Sequence, residues 1–194
     1  EEGMITVLYG ARQVGKTTLA KKILRENNSL NGYYNCERES VVAIFSTNNP
    51  EAMHDAFGGH KLVVFDEAQT IPNIGRKLKL LIDSYPDMAI IATGSSSFEL
   101  ANRINEPLTG RHYEYFLSPL STEEMLLERT RLSVQEDLPT RLIYGNYPAI
   151  YNAKNNEEAR QKLELLSTSY LYRDVLRFGA VLNSEILMSV LKAL

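Results

Sequence analysis

The sequence predicts an α/β fold, a parallel sheet held between layers of helices, followed by a helical region. Two observations carry this. Over residues 1–118, short β-branched or apolar runs alternate with segments whose apolar residues recur at helical spacing, as in βαβ units that build a parallel sheet. After Pro119 no segment reads as a strand, and the apolar positions keep a helical period through residues 119–182 and beyond.

The elements follow in order. Ile5–Tyr9 is an apolar run expected as the first strand, and Leu19, Ala20, Ile23 and Leu24 mark the face of the helix after it. Tyr33–Asn35 is a weak second strand. The third, at 62–65, is the unbroken run Leu62-Val63-Val64-Phe65, which implies burial on both faces. Leu78, Leu81, Ile82 and Tyr85 share a helix face ahead of a fourth run at 88–92, and 113–117 supplies a fifth. In the helical region, Ser121-Thr122-Glu123-Glu124 has the form of a capping box, and Gly145-Asn146-Tyr147-Pro148 interrupts the period as a turn does. Beyond it, Ala159, Leu163, Leu166 and Tyr170 share one face.

Composition bounds the partners. With 44% hydrophobic and 23% charged residues, 194 residues suffice for one sizeable core and a small appendage. A net charge of −3 gives no global attraction to nucleic acid. The single cysteine, Cys36, excludes an intramolecular disulfide framework and fits a reducing, cytoplasmic setting. No apolar run reaches the ~18 residues that cross a bilayer, and Glu1-Glu2-Gly3-Met4 lacks the features of a signal peptide, so no membrane partner is expected. Ile186, Leu187, Val190, Leu191 and Leu194 still mark a helical face where the chain stops, so a piece of a longer protein is expected.

The chemistry concentrates in two phrases. Gly10-Ala11-Arg12-Gln13-Val14-Gly15-Lys16-Thr17 matches the Walker A pattern, in which glycines let backbone N–H groups wrap phosphates and the lysine neutralises β- and γ-phosphate charge. Thr17 is expected on Mg²⁺, and Thr18, next on the helix, belongs to the same ATP-binding set. A strand before and a helix after point the helix N-terminus at the anion. Leu62-Val63-Val64-Phe65-Asp66-Glu67 has the form of a Walker B strand. Asp66 is expected to hold the metal, and Glu67 to orient and polarise water for in-line attack. Read alone, the acidic pair is more readily a cap for the next turn, and the P-loop upstream turns the reading toward the metal and water roles.

Ile90-Ile91-Ala92-Thr93-Gly94-Ser95-Ser96-Ser97 is a buried strand ending in hydroxyls. Ser95 or Ser96 is a candidate sensor of the γ-phosphate or the attacking water, and the competing reading is a serine cap for a helix at 98–102. Arg111, after Gly110, is a candidate for transition-state charge stabilisation in cis or from a neighbouring subunit; the competing reading is a solvated strand-end cation. Lys21, Lys22, Arg76, Lys77 and Lys79 read as solvated helix faces, and His54, His60 and His112 match no metal-site spacing. Tyr147, Tyr151, Tyr170 and Tyr172 read as helix-packing residues, with contact to single-stranded nucleic acid as the alternative.

Taken together, these phrases resemble the bacterial and archaeal AAA+-like ATPases in which a small P-loop domain precedes a C-terminal domain of unknown function. The resemblance also runs through Asn35-Cys36-Glu37, Phe65-Asp66-Glu67-Ala68-Gln69, Thr93-Gly94-Ser95-Ser96, Gly110-Arg111, Leu117-Ser118-Pro119-Leu120-Ser121, Gly145-Asn146-Tyr147-Pro148 and Tyr172-Arg173-Asp174. It implies a three-layer αβα P-loop domain over 1–118 with strand order 5-1-4-3-2. It further implies a helical lid over 119–182, with 183–194 opening a winged-helix-like domain. The function expected is an ATP-hydrolysing switch or remodelling module, with a homo-oligomer and DNA or protein partners engaged through the region after Leu194 left open. A DNA-linked helicase-like ATPase and a scaffold with little turnover are the alternatives. A two-lobed helicase needs a second α/β core that residues after Pro119 do not supply. A small-molecule kinase fits less well, because the acidic pair favours water as nucleophile.

Overall fold

The computed structural model describes residues 2–95 and 110–167. Its contacts divide the chain into Glu1–Ser118 and Pro119–Leu194. The first unit runs β1 (Ile5–Tyr9), α1 (Lys16–Glu26), β2 (Tyr33–Asn35), α2 (Glu39–Ser46), α3 (Pro50–Ala56), β3 (Leu62–Asp66), α4 (Ile74–Ser84), β4 (Ala89–Gly94) and β5 (His112–Phe116). Two single 3₁₀ turns, Leu30–Gly32 and Ala68–Thr70, lead into β2 and out of β3.

The sheet has the order β2-β3-β4-β1-β5, which read from the other edge is 5-1-4-3-2. Every pairing is parallel, and Tyr9 lies level with Gly94 and with Phe116, while Asn35 lies level with Asp66. All strands therefore end on one edge of the sheet, where the loops after β1 and β3 and the residue Ser95 just past β4 lie. In open parallel sheets that carboxyl edge is where ligands bind.

Alternation along the strands sorts the side chains into two layers. Val64 and Ile91 pack with Ala20 and Leu24 of α1, joined by Ile23, Tyr33 and Leu62. Val7, Val63, Phe65, Ile90 and Ala92 face the other way, onto Val41, Phe45, Met53, Leu78, Leu81 and Ile82 of α2, α3 and α4. Phe45, Phe57 and Phe65 meet there with ring centroids 4.9 to 5.2 Å apart. The unbroken apolar run of β3 is thus covered on both faces, as its sequence requires. The sequence leaves 36–61 unspecified, and the structure fills much of it with α2 and α3; Asn49 caps α3 by accepting from the backbone of Glu51 and Ala52.

β4 runs two residues past the apolar reading, to Gly94, because Leu8 and Tyr9 continue to pair with Thr93 and Gly94. β5 starts one residue earlier than its apolar run, pairing His112 with Ile5, and as an edge strand it exposes Tyr113, Tyr115 and Phe116.

The second unit contains α5 (Thr122–Glu128), α6 (Arg131–Glu136), α7 (Leu138–Tyr144), α8 (Pro148–Tyr151) and α9 (Asn156–Leu166). Ser121 caps α5 by accepting from Glu124 N at 3.1 Å, and Glu124 returns the bond to Ser121 N at 2.8 Å, so the capping box forms. Gly145, at φ 81°, and Pro148, opening α8, make the break between α7 and α8. Ile150, Ala159 and Leu166 form the small core with Leu163, Tyr144 and Tyr147. Tyr170, Tyr172 and residues 183–194 lie outside the described residues. No described helix is long and apolar enough to cross a membrane.

Candidate active site

The loop from Gly10 to Gly15 joins the carboxyl end of β1 to the N-terminus of α1. Gln13 and Gly15 take positive φ, 64° and 109°, which curls the loop back on itself. No side chain caps α1 and no acidic residue occupies its first turn. The amides of that turn and the positive end of the helix dipole are therefore left for an anion.

Gly10 is fixed by packing as well as by loop shape. A Cβ there would sit 2.2 Å from the carbonyl oxygen of Leu117, just past β5. A backbone atom cannot swing aside as a side chain can, so Gly10→Ala is expected to destabilise the nucleotide-free chain by about 1–3 kcal/mol, the usual cost of overpacking. Chemical denaturation without nucleotide measures this. An unchanged midpoint would show that the close approach is not obligatory.

Lys16 is 5% exposed, and its ammonium donates to Gly10 O at 2.9 Å and Ala11 O at 2.8 Å, clasping the start of the loop. One residue on, Thr17 Oγ1 donates to Asp66 Oδ2 at 2.8 Å and ties α1 to the end of β3. Ala11, Arg12, Gln13, Val14 and Thr18 surround these contacts; Val14 is buried and Thr18 exposed.

Asp66 is 4% exposed. Three hydroxyls reach its carboxylate: Thr17 and Tyr33 donate to Oδ2, the latter at 2.5 Å, and Thr93 donates to Oδ1. Among the described residues no lysine or arginine forms an ion pair with it. Buried carboxylates are ordinarily paired with a cation or ligate a metal, so this donor set suits a hard divalent ion held through oxygen ligands.

Glu67 follows in the left-handed region at φ 55°, ψ 42°. That conformation is strained for a residue with a Cβ and persists where surrounding bonds over-determine it. Here Glu67 N donates to Thr93 Oγ1 at 3.3 Å, and Glu67 O accepts from Thr70 N at 3.0 Å and Thr70 Oγ1 at 2.9 Å. The turn brings Gln69 back under Glu67. The Gln69 amide nitrogen donates to Glu67 Oε2 at 2.5 Å and to Ser95 Oγ at 3.2 Å, joining the ends of β3 and β4.

Ser95, just past the end of β4, therefore shares one network with Glu67, while Ser96 and the helix at 98–102 lie outside the described residues. Arg111 needs a correction. It lies beside Ile5, where Ile5 N donates to Arg111 O, at the amino end of the sheet and roughly 13 Å of strand from the loop after Tyr9. Its guanidinium pairs with Asp83 at the end of α4. Parallel pairing puts strand starts and strand ends on opposite edges, so a γ-phosphate contact in cis is excluded by this arrangement.

Three residues enter the site that the motifs do not assign a role: Tyr33, Gln69 and Thr93. Thr93 and Gln69 carry a faint signal, each a polar position in an otherwise buried stretch. Tyr33 carries none, since only β2–β3 pairing brings it beneath Asp66. Cys36 borders the site, with its amide donating to Asp66 O at 2.9 Å; burial, and then the charges of Asp66 and Glu67, push its thiol up to about 12, so it remains protonated and unreactive.

Known proteins bear on this geometry. Uncharacterized proteins of Mycobacterium bovis and of Mycobacterium tuberculosis are each 28% identical to this chain over 178 residues, 90% of the chain but 37% of the relative. The chain thus spans little more than a third of the curated relatives it matches. In fold it is similar to the Walker-type ATPase of Pyrococcus abyssi, with a TM-score of 0.58 at 18% identity over 91% of this chain and 71% of that one. The family model described as AAA domain matches residues 2–126, most of the chain and all of the sheet, and the chain therefore belongs to the AAA domain family of P-loop ATPases.

Proposed function

We propose that this chain binds ATP with Mg²⁺ and hydrolyses it, serving as a nucleotide-driven switch or remodelling module. The observation that carries the reading is the bond from Thr17 to Asp66, 2.8 Å, which places the loop's hydroxyl beside a buried carboxylate with no cationic partner among the described residues. The loop amides and Lys16 would take the phosphates, and Thr17 and Asp66 would hold the metal. Bound Mg²⁺ supplies neutralisation of the charge that develops on the phosphate oxygens. Glu67 would orient and polarise the attacking water. Gln69, bonded to both Glu67 and Ser95, would link that carboxylate to a hydroxyl suited to sensing the γ-phosphate. A switch needs such a link, because the state of the phosphate must change the arrangement of the protein.

Asp66→Asn separates the metal role from the rest. Calorimetry with ATP is expected to show tight binding that depends on Mg²⁺ in the parent. In the variant the Mg²⁺-dependent part should be lost and the metal-free part retained. Binding that ignores Mg²⁺ in both proteins would refute the metal assignment, and absence of ATP binding in the parent would refute the whole reading. Steady-state turnover with and without DNA tests the helicase-like alternative, which requires stimulation.

A further inference from the structure

We propose that Tyr33 is a positioning residue whose hydroxyl decides which oxygen of Asp66 serves the metal shell, and so sets how readily the chain takes up Mg²⁺ with its nucleotide. This rests on the assignment of Mg²⁺ to Thr17 and Asp66.

A carboxylate offers about four acceptor sites, two on each oxygen. On Asp66, Oδ2 accepts from both Thr17 and Tyr33, and Oδ1 accepts from Thr93. The two hydroxyls fill the capacity of Oδ2 and leave the open site on Oδ1. The Thr17 proton is also committed to Asp66, which leaves the lone pairs of Thr17 Oγ1 for a cation. Removing the Tyr33 hydroxyl would return an acceptor site to Oδ2 and free the carboxylate to rotate. A hydrogen bond that orients a metal-binding carboxylate in this way commonly changes metal affinity by 10- to 100-fold.

The tyrosine is itself held in place. It opens β2 level with Val64, its ring joins Ala20, Leu24 and Val64, and the Lys21 ammonium lies 4.4 Å from the ring centroid. Its hydroxyl donates to Asp66 Oδ2 at 2.5 Å. Asp66 is thus gripped from an edge strand that the Walker phrases do not include. The plainer account is that a half-buried tyrosine has found any available acceptor. The two accounts differ in what the metal feels.

The test titrates Mg²⁺ against a fluorescent ADP analogue bound to the parent chain and to Tyr33→Phe, with a matched series in a chelator. Phenylalanine keeps the ring and its packing, so the ligand-free unfolding midpoint should stay within a few degrees of the parent. The proposal expects equal affinity for the nucleotide without metal and a Mg²⁺ half-saturation about tenfold higher in the variant. An unchanged half-saturation overturns it, as does a loss of metal-free affinity by the same factor, which would signal general damage to the pocket. If the parent gains nothing from Mg²⁺, the metal assignment itself fails. If the parent responds and the variant responds identically, only the role of Tyr33 is lost.

Discussion

Glu67→Gln is expected to bind ATP with little change in Kd and to lose about 10²–10⁴ in kcat, the scale of a positioned acid–base group. The structure sharpens this expectation. Glu67 Oε2 accepts from the Gln69 amide at 2.5 Å, and the backbone of Glu67 is fixed by Thr93 and Thr70. A glutamine side chain fits the same space, but it can turn its own NH₂ toward Gln69 and break that bond. The variant should therefore keep the fold and the Asp66 site while losing both the water-polarising carboxylate and its tie to Ser95. Single-turnover hydrolysis of bound ATP is the measurement, because it separates chemistry from release. Turnover at the parent rate would remove Glu67 from the mechanism, and equal losses in Kd and kcat would make it a binding residue.

Lys16→Ala is expected to abolish most of the stabilisation that ATP with Mg²⁺ confers, about 2.7 kcal/mol at a hundred-fold excess over Kd. It should also lower the stability of the nucleotide-free chain. The ammonium is buried and holds Gly10 O and Ala11 O, and hydrogen bonds to charged groups contribute about 1.5–3 kcal/mol. Lys16→Met separates the parts, because it keeps the apolar stem and removes only the charge. Thermal unfolding of both variants with and without ATP checks the expectation. If either variant gains as much from ATP as the parent does, the loop is not the phosphate site.

Several parts of the candidate site are legible in the sequence. Gly10 to Thr18 and Asp66-Glu67 are consecutive in the chain, and their chemistry depends on local conformation: a loop that curls at Gln13 and Gly15, and a strand that ends on an acid. The strands were legible for a similar reason, since burial on both faces demands unbroken apolar runs such as Leu62-Val63-Val64-Phe65. For Arg111 the structure favours the competing reading of a strand-end cation over a phosphate contact in cis. The sequence puts Arg111 just before the fifth strand but does not say which strand or side chain it meets there. The parallel pairing of β5 with β1 decides that, and it puts Arg111 beside Ile5 and Asp83.

The sequence by itself determined the layered α/β class, the phosphate loop and the acidic pair, because each is written in residues that are neighbours along the chain. Only the tertiary structure decided what surrounds Asp66. Tyr33, Thr17 and Thr93 lie 33, 49 and 27 residues away along the chain, and they converge on one carboxylate because β2 and β4 flank β3 and α1 packs over them. The same holds for the bridge from Gln69 to Ser95, 26 residues apart, and for the fit of Gly10 against Leu117. Hydrogen bonds and steric contacts act over about 3 Å, and the chain brings such distant residues within that range only after the sheet has set its order and register.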